Sequence, residues 1–499
     1  MVTDTSSKPT CLGNRECAQY CQVLNSLAGE EPSTDCEWPE RVARADSEPS
    51  VPESDLFRGA ADKLQQVLAS GNAIEKSLAD PNSELHVAYG AEVAIFDARM
   101  ALWNGYANAS KQGRSITDIE VKYYTERLQD VIEEASAKLR ASGISKEAIS
   151  FAQAMHDHKI MEDTGLLLDN AMVQTVTKLC ANAARGTSSL VVGDKGIAKT
   201  QAAKFVSKLF SPDGKPRVMS GDGSTMKDEF IGQVTLTEKN GVTVTGFQDG
   251  VLVECAEQGI PVVMDEINLM DPTIAMRLQD ILLCKPGQEI TIQEDGGRKV
   301  VIKTGFCVIA TANEASEGRY QRRAEFDPAF RDRFSVVPVE YPDSETDILR
   351  QDQLPSSLIR LAYTQVVSRN GLSSARVSAE DASWLARVAH ASQQLYSKPA
   401  KDVRGSLTNN VASVVDDTEP RMSDCITPRA MLRILETVNA GLNPYDVAAG
   451  VRGLTMDTIG AMRSPEDRHT MLEVLRLLHE PKKYGDFDEQ ATKQRMRLG

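Results

Sequence analysis

A glycine-containing loop that directly follows a short apolar run constrains this chain more than any other feature. The loop reads GDKGIAKT from Gly193 to Thr200, and the apolar run is Leu190–Val192. In the pattern G-x-x-x-x-G-K-[ST], backbone N–H groups surround a nucleotide's phosphates, the lysine neutralises the β and γ oxygens, and the hydroxyl holds Mg²⁺. The loop therefore predicts a strand, a phosphate-binding turn and a helix. Ala198 departs from this pattern, because it stands at the place of the second glycine.

The composition is that of an ordinary globular chain. The 499 residues, 41% hydrophobic and 25% charged, are enough for two to four domains. The net charge of -15 argues against binding to nucleic acid or anionic lipid mainly by bulk electrostatics. No apolar run reaches the roughly 18 to 20 residues of a membrane span, and the first residues lack the pattern of a signal peptide. We expect a cytoplasmic protein that does not contact a membrane.

Four regions follow from the hydrophobic pattern. Residues 1–54 are polar and read as a disordered or metal-stapled tail, and 55–164 show the three- and four-residue spacing of helices. Residues 165–345 alternate strands and helices, and 346–499 are again helical with a polar insert near 400–420. We therefore predict an α/β P-loop core, with a parallel sheet between helices, flanked by helical regions. The apolar runs predicted as strands are Leu190–Val192, Arg217–Met219, Pro261–Met264, Phe306–Ala310 and Ser335–Val339.

Two further segments have the period-two alternation of hairpins. Residues 234–245 alternate around Asn240-Gly241, and residues 289–302 alternate around Gly296-Gly297. A minimal nucleotide-binding sheet needs neither. They are either ordinary surface hairpins or elements that reach toward a substrate.

Nine cysteines fall into two groups. Those at 180, 255, 284, 307 and 425 stand singly in apolar or helical surroundings, as reduced packing residues do. The other four share the polar tail with the spacing C-x5-C-x3-C-x14-C, and they are Cys11, Cys17, Cys21 and Cys36. Four thiolates fit Zn²⁺ or an iron-sulfur cluster, but the spacing lacks paired C-x2-C knuckles. Unliganded thiols on a flexible tail are the alternative.

Polar side chains end two of the predicted strands. The strand at 260–264 runs into Asp265 and Glu266, and the strand that begins at Phe306 ends at Asn313. Beside a phosphate loop, Asp265 is placed to orient the Mg²⁺ shell and Glu266 to polarise the attacking water. The Asn313 amide is suited to hold that water or the γ-phosphate. Further along, Arg331, Arg333 and Arg429 offer guanidinium groups suited to the charge of a transferring phosphoryl group.

The motifs GDKGIAKT, VVMDEINLMDP, ATAN, DPAFRDRF and TPRA, in this order, resemble those of AAA+ ATPases. The resemblance covers roughly residues 165–480 and is to the MoxR-like, helix-2-insert branch of dynein-related type. That branch also holds gas-vesicle, Rubisco-activating and chelatase motor subunits, and alanine before the loop lysine is usual there. The segment from Phe247 through Gly250 resembles its F-x-x-G-x-L element. The two hairpins resemble its helix-2 insert and pre-sensor-1 hairpin.

The resemblance implies roles for the matching positions. Thr200 and Asp265 would hold Mg²⁺, Glu266 would be the catalytic Walker B residue, and Asn313 would be sensor 1. Arg333 would be the arginine finger donated to a neighbouring subunit, with Arg331 as a second contact. The residues expected to bind the nucleotide are Gly193, Asp194, Lys195, Gly196, Ile197, Ala198, Lys199, Thr200 and, as sensor 2, Arg429.

The function implied is that of an ATP-hydrolysing motor that assembles as a ring of six and remodels or activates a protein partner. Members of the branch often act with a protein that carries a von Willebrand factor A domain, which this chain does not show. Two alternatives stay open. One is a nucleic-acid translocase subunit of a restriction-type system, disfavoured by the acidic charge. The other is a nucleotide-gated scaffold with little turnover, disfavoured by the intact acidic pair and Asn313.

Overall fold

The computed structural model describes residues 76–144, 146–221, 227–239, 242–270, 278–279, 281–313, 328–341, 357–367, 377–397, 422–441, 450–479 and 487–498. The tail with its four cysteines, the polar insert and the Asn240-Gly241 turn lie outside these residues. Within them, no helix combines the length and the apolar character needed to cross a membrane.

Helices precede and follow the strands, as the hydrophobic pattern predicts. Those before the first strand are α1 (Glu84–Lys111), α2 (Asp118–Ala141), α3 (Lys146–Thr164) and α4 (Asn170–Ala184). Those among the strands are α5 (Lys199–Phe210), α6 (Lys227–Phe230), α7 (Val251–Gln258) and α8 (Pro328–Arg331). Those after the last strand, here called the lid, are α9 (Ser357–Tyr363), α10 (Ala379–Ser397), α11 (Pro428–Ala440), α12 (Gly450–Gly460), α13 (Pro465–Leu477) and α14 (Glu489–Arg495).

Five parallel strands form the central sheet, which confirms the predicted α/β core with its parallel sheet between helices. They are β1 (Ser189–Gly193), β2 (Arg217–Ser220), β5 (Val262–Asp265), β8 (Val308–Asn313) and β9 (Ser335–Pro338). Their order across the sheet is β2-β5-β8-β1-β9. Because all five run the same way, their carboxyl ends share one edge. The register sets Gly193 beside Asn313 there.

The strands are apolar on both faces because helices or hairpins cover both sides. Val191, Val263 and Ile309 pack into a core with α1, α4 and α5. Leu190 and Met264, one position away, pack on the opposite face with α7 and the hairpins. Successive side chains of a strand point to opposite faces, so one short run serves two cores.

The helices before β1 pack against both the central sheet and the lid. Trp103 and Tyr106 of α1 are 0% and 2% exposed and pack in the same core as α4 and α5. The indole N–H of Trp103 donates to Thr177 Oγ1 at 2.9 Å. Leu85 of α1 and Phe151 of α3 belong to a second core, formed mainly by the lid. Trp103 and Tyr106, at the helical spacing of three, are therefore core residues of α1.

Both predicted hairpins form. The first pairs β3 (Gly232–Lys239) with β4 (Val242–Asp249), and the second pairs β6 (Glu289–Ile292) with β7 (Arg298–Val301), both antiparallel. The second turn is longer than the glycine pair alone indicates, because residues 293–295 form a 3-10 turn before Gly296.

Arg298 of β7 joins the two hairpins. Its guanidinium donates to Asp249 at the end of β4 and to Glu257 of α7 at 3.0 Å, and lies 6.0 Å from the Phe247 ring centroid. Opposite charges within hydrogen-bonding distance fix the relative position of the elements that carry them. The F-x-x-G-x-L segment therefore lies where both hairpins meet the helix that leads to β5.

Candidate nucleotide-binding site

The GDKGIAKT loop connects the carboxyl end of β1 to the first turn of α5, as its pattern predicts. Gly193 ends the strand and Lys199 begins the helix. Unpaired N–H groups at a helix start, together with the helix dipole, favour an anion such as a phosphate. Ile197 is buried in the core beneath the loop, whereas Asp194 and Lys195 are half-buried.

Two loop positions have backbone requirements that the sequence shows only in part. Ala198 has φ 61° and ψ 20°, the left-handed region in which glycine is normally found. The position thus keeps the conformation of the missing glycine although the residue is alanine. At Gly193, an added Cβ would lie 2.0 Å from the carbonyl oxygen of Val339, so only glycine lets the residue after β9 approach this closely.

The Lys199 ammonium lies across the loop. It donates to the carbonyl oxygen of Gly193 and to Asn313 Oδ1, both at 2.9 Å, and also to the carbonyl oxygen of Asp194. The lysine is 7% exposed. Its charge is therefore held by oxygen acceptors at the point where phosphate oxygens would enter.

Two side chains with oxygen ligands for a hard cation lie side by side, one in the first turn of α5 and one at the end of β5. The Thr200 hydroxyl donates to Asp265 Oδ1 at 2.6 Å, although the residues are far apart in sequence. A carboxylate and a hydroxyl at a phosphate site fit Mg²⁺, which takes few protein ligands and completes its shell with phosphate and water oxygens. Within the described part of the chain, no group of three or more His, Cys, Asp or Glu side chains is arranged to hold a metal.

Glu266 is joined to Lys199 through Asn313. The Asn313 amide donates from Nδ2 to Glu266 Oε1 at 3.2 Å, while its Oδ1 accepts from the lysine. Glu266 also has a left-handed backbone, with φ 53° and ψ 46°. A strained backbone at a polar site is typical of residues held in a functional orientation.

The sequence did not indicate Thr311 of β8, although it forms hydrogen bonds to both Asp265 and Glu266. Its hydroxyl donates to Asp265 Oδ1 at 2.6 Å and accepts from the Glu266 N–H at 3.1 Å. The signal was present, because Thr311 is two positions before Asn313 and so shares its face of the strand.

The lid contacts the loop through the segment that precedes α11. Asp424 forms an ion pair with Lys195 at 2.6 Å, and a Cβ on Gly196 would lie 2.8 Å from the Thr427 side chain. Thr427 also caps α11 by accepting the Ala430 N–H, as its Thr-Pro sequence predicts. No local pattern indicates the contact of Asp424, which is more than 200 residues from Lys195 in the chain.

A tyrosine and a cysteine pack behind the same contact. The Tyr341 hydroxyl donates to the Lys195 carbonyl oxygen at 3.1 Å and lies 3.4 Å from Cys425 Sγ. Burial raises the pKa of the Cys425 thiol to about 12, so the thiol stays protonated at neutral pH. None of the five described cysteines forms a disulfide, and those at 180, 255, 307 and 425 are buried, as expected for packing residues.

The three arginines lie in two places. Arg331 ends α8 and Arg333 is two residues before β9. Since the first residue of β9 pairs with the first of β1, their backbone lies at the opposite edge of the sheet from the loop, about 13 Å away at the rise of a strand. Arg429 lies in the first turn of α11, two residues beyond Thr427, with its side chain exposed.

Comparison with known proteins agrees with this geometry. Residues 188–334 match the AAA domain of the dynein-related subfamily. The chain is 24% identical to midasin of Giardia intestinalis over 201 residues, which is 33% of this chain and 4% of midasin. It is 24% identical to the uncharacterized protein YojN of Bacillus subtilis (strain 168) over 245 residues, 47% of this chain and 75% of YojN.

A third relative is the aerobic cobaltochelatase subunit CobS of Sinorhizobium sp. The chain is 25% identical to it over 184 residues, which is 35% of this chain and 54% of CobS. The chain therefore spans 4% of midasin and about half of CobS. The match at 188–334 contains β1, the phosphate loop, Asp265, Glu266 and Asn313. This chain therefore contains an AAA domain of the dynein-related subfamily.

Proposed function

We propose that this chain hydrolyses ATP to ADP and phosphate at the site formed by the loop, β5 and β8. The observation that carries the proposal is one hydrogen-bonded series at the carboxyl edge of the sheet. It links Lys199 through Asn313 to Glu266, beside the Thr200–Asp265 pair. Each group has the chemistry that phosphoryl transfer to water requires.

Each residue of the site has its own role in the proposed reaction. Lys199 and the loop N–H groups bind the phosphates, and Thr200 with Asp265 would hold Mg²⁺. The bound ion would neutralise charge on the phosphate oxygens. Glu266 accepts a proton from the attacking water, and the Asn313 amide holds the Glu266 carboxylate. Ala198 keeps the backbone that the loop requires, so its side chain does not argue against activity.

The position of Arg333 supports hydrolysis in an oligomer. At the opposite edge of the sheet from its own loop, Arg333 is suited to the nucleotide of a neighbouring subunit, with Arg331 as a second contact. A head-to-tail arrangement of this kind forms a ring when the rotation between subunits closes. We propose a hexamer in which Arg429 contacts the nucleotide from the lid of the same subunit.

The proposed outcome of hydrolysis is remodelling of a protein partner, as in the MoxR-like branch that the motifs resemble. The similarity to a cobaltochelatase subunit, which is one chain of a larger enzyme, supports a chain that works together with a partner protein. We propose that the partner is a separate protein that carries a von Willebrand factor A domain. Adding that protein to this chain should raise the ATPase rate.

Glu266→Gln tests the catalytic assignment. Loss of the proton acceptor should lower kcat by about 100-fold or more, with nucleotide affinity preserved, since the loop is unchanged. Steady-state phosphate release and equilibrium binding of a fluorescent ATP analogue measure the two quantities. Glu254→Gln, the same change on the exposed face of α7, is the matched control.

Three results would contradict the proposal. Glu266→Gln with wild-type turnover would remove the catalytic assignment. Wild-type protein that binds ATP without turnover, even at high protein concentration, would indicate a nucleotide-gated scaffold. Strong stimulation of hydrolysis by DNA, with none by protein, would indicate a nucleic-acid translocase.

A further inference from the structure

Thr311 is a buried hydroxyl in the middle of the sheet. It lies on β8, the central strand, and is 2% exposed. Its neighbours on the same sheet face, such as Ile309, Val191 and Val263, are apolar. A buried hydroxyl without partners costs about 1–3 kcal/mol, so a threonine at this position needs its hydrogen bonds.

Both of these hydrogen bonds go to the acidic pair. The Thr311 hydroxyl donates to Asp265 Oδ1 and accepts from the main chain of Glu266. Asp265 Oδ1 also accepts from Thr200, so the oxygen shared by the two hydroxyls is fixed from two directions. The carboxylate's other oxygen, Oδ2, is thereby held in one orientation.

The bond to Glu266 acts on its backbone. Glu266 has a left-handed φ of 53°, which costs an L-residue roughly 1–2 kcal/mol unless its surroundings hold it. Thr311 holds the N–H of this residue from below, and Asn313, two positions further along the same strand, holds its side chain. One strand face thus fixes Glu266 at two points.

We propose that Thr311 is a positioning residue for ATP hydrolysis, which sets the Asp265 carboxylate and the left-handed turn that aims Glu266. This inference rests on the proposed ATPase function. Neither of these two hydrogen bonds joins Thr311 to the phosphate-binding loop. Its loss should therefore affect turnover rather than nucleotide affinity.

Thr311→Val and Thr311→Ser separate the hydroxyl from the volume. Valine keeps the branched shape and removes both bonds, and should lower kcat about 10- to 100-fold, the usual effect of a small misplacement of reacting groups. Serine keeps the hydroxyl and should stay within about threefold of wild type. Binding of a fluorescent ADP analogue without Mg²⁺ should change less than about threefold in both, since Lys199 is untouched.

The matched control is Thr455→Val. Thr455 is equally buried, in α12 of the lid, where its hydroxyl donates to the Val451 carbonyl oxygen at 2.7 Å. This variant should keep kcat within about twofold of wild type, because it removes a comparable bond away from the site. Thermal melting of all variants shows whether each one folds, and Thr311→Ala replaces the valine variant should valine not fold.

A double variant tests whether Thr311 acts through Glu266. In single-turnover experiments, adding Thr311→Val to Glu266→Gln should lower the rate less than about threefold further, because coupled residues lose their effects together. Additive losses, or a Thr311→Val turnover equal to that of Thr455→Val, would overturn the inference and leave the ATPase proposal standing. A wild-type chain without turnover would instead refute the proposed function, and this inference with it.

Discussion

At the scale of single residues, the site depends on two left-handed backbones that are not glycine. Ala198 directly precedes α5 and Glu266 follows β5, and the remaining described non-glycine residue with positive φ is Arg497, near the end of the chain. The two at the site lie beside the loop and the carboxylates. Their strain is offset by the surrounding contacts, which for Glu266 are bonds from Thr311 and Asn313.

Ala198→Gly should raise the free energy of unfolding by about 1 kcal/mol, because glycine adopts this φ without the clash of a Cβ. Urea denaturation measures the change. The control is Ala101→Gly, on the exposed face of α1, which should lower stability by about 1 kcal/mol because its backbone is helical. Equal losses at both positions would show that the left-handed conformation does not form.

At the scale of elements, the α3–α9 contact ties the helices before the sheet to the lid. The Arg360 guanidinium of α9 donates to both carboxylate oxygens of Asp157 in α3, at 2.9 and 3.0 Å. The two side chains are 19% and 4% exposed. Burial raises the pKa of nearby Glu92, so the environment is poor in water. This ion pair fixes how α3 and α9 lie against each other. Each of its side chains needs the other as a counter-charge, because both are largely buried.

Arg360→Met should lower the free energy of unfolding by about 3–5 kcal/mol, since Asp157 would stay buried without a counter-charge. Adding Asp157→Leu should restore most of it, because two apolar side chains can replace a buried pair. Urea denaturation of both variants measures these values.

The exposed pair Arg495–Asp457 has the same two-bond geometry and provides the control. There, Arg495→Met should cost about 1 kcal/mol or less, because solvent screens both charges. A buried variant no more costly than this one would mean that α3 and α9 do not pack as described.

At the scale of the whole molecule, the proposed ring rests on where Arg331 and Arg333 lie. The sheet separates Arg333 from its own loop by the length of β9. In the proposed ring, Arg333 would complete the site of a neighbouring copy. Activity should then depend on protein concentration, which a self-contained site would not require.

Mixing two inactive variants tests this arrangement. Lys199→Ala lacks the phosphate-binding lysine and Arg333→Ala lacks the finger, so each alone should have less than a tenth of wild-type activity. In an equal mixture, a nucleotide site is complete when the subunit that binds the nucleotide is Arg333→Ala and its neighbour is Lys199→Ala. The first subunit then supplies Lys199 and the second supplies Arg333. Random rings should recover about a quarter of wild-type activity, as measured by phosphate release. A mixture as inactive as its components would contradict the shared site.

The sequence predicted the five strands, both hairpins and the loop from local patterns. Periodicity reports which side chains face a core, and the loop pattern reports a backbone requirement. It also placed Asp265, Glu266 and Asn313 at strand ends, since parallel strands end together at one edge. The assignment of these residues and of Arg331, Arg333 and Arg429 to catalysis stays a prediction.

Contacts between distant segments needed the tertiary structure. Asp424 lies against Lys195, Arg360 against Asp157 and Thr311 beneath the acidic pair only after the chain has folded. Local residue types carry little information on such partners, because each is selected by the register and packing of whole elements. The sequence by itself thus determined that a phosphate loop and its carboxylates share a sheet edge. Only the tertiary structure decided which residues hold them in place, since burial and register are properties of the folded chain.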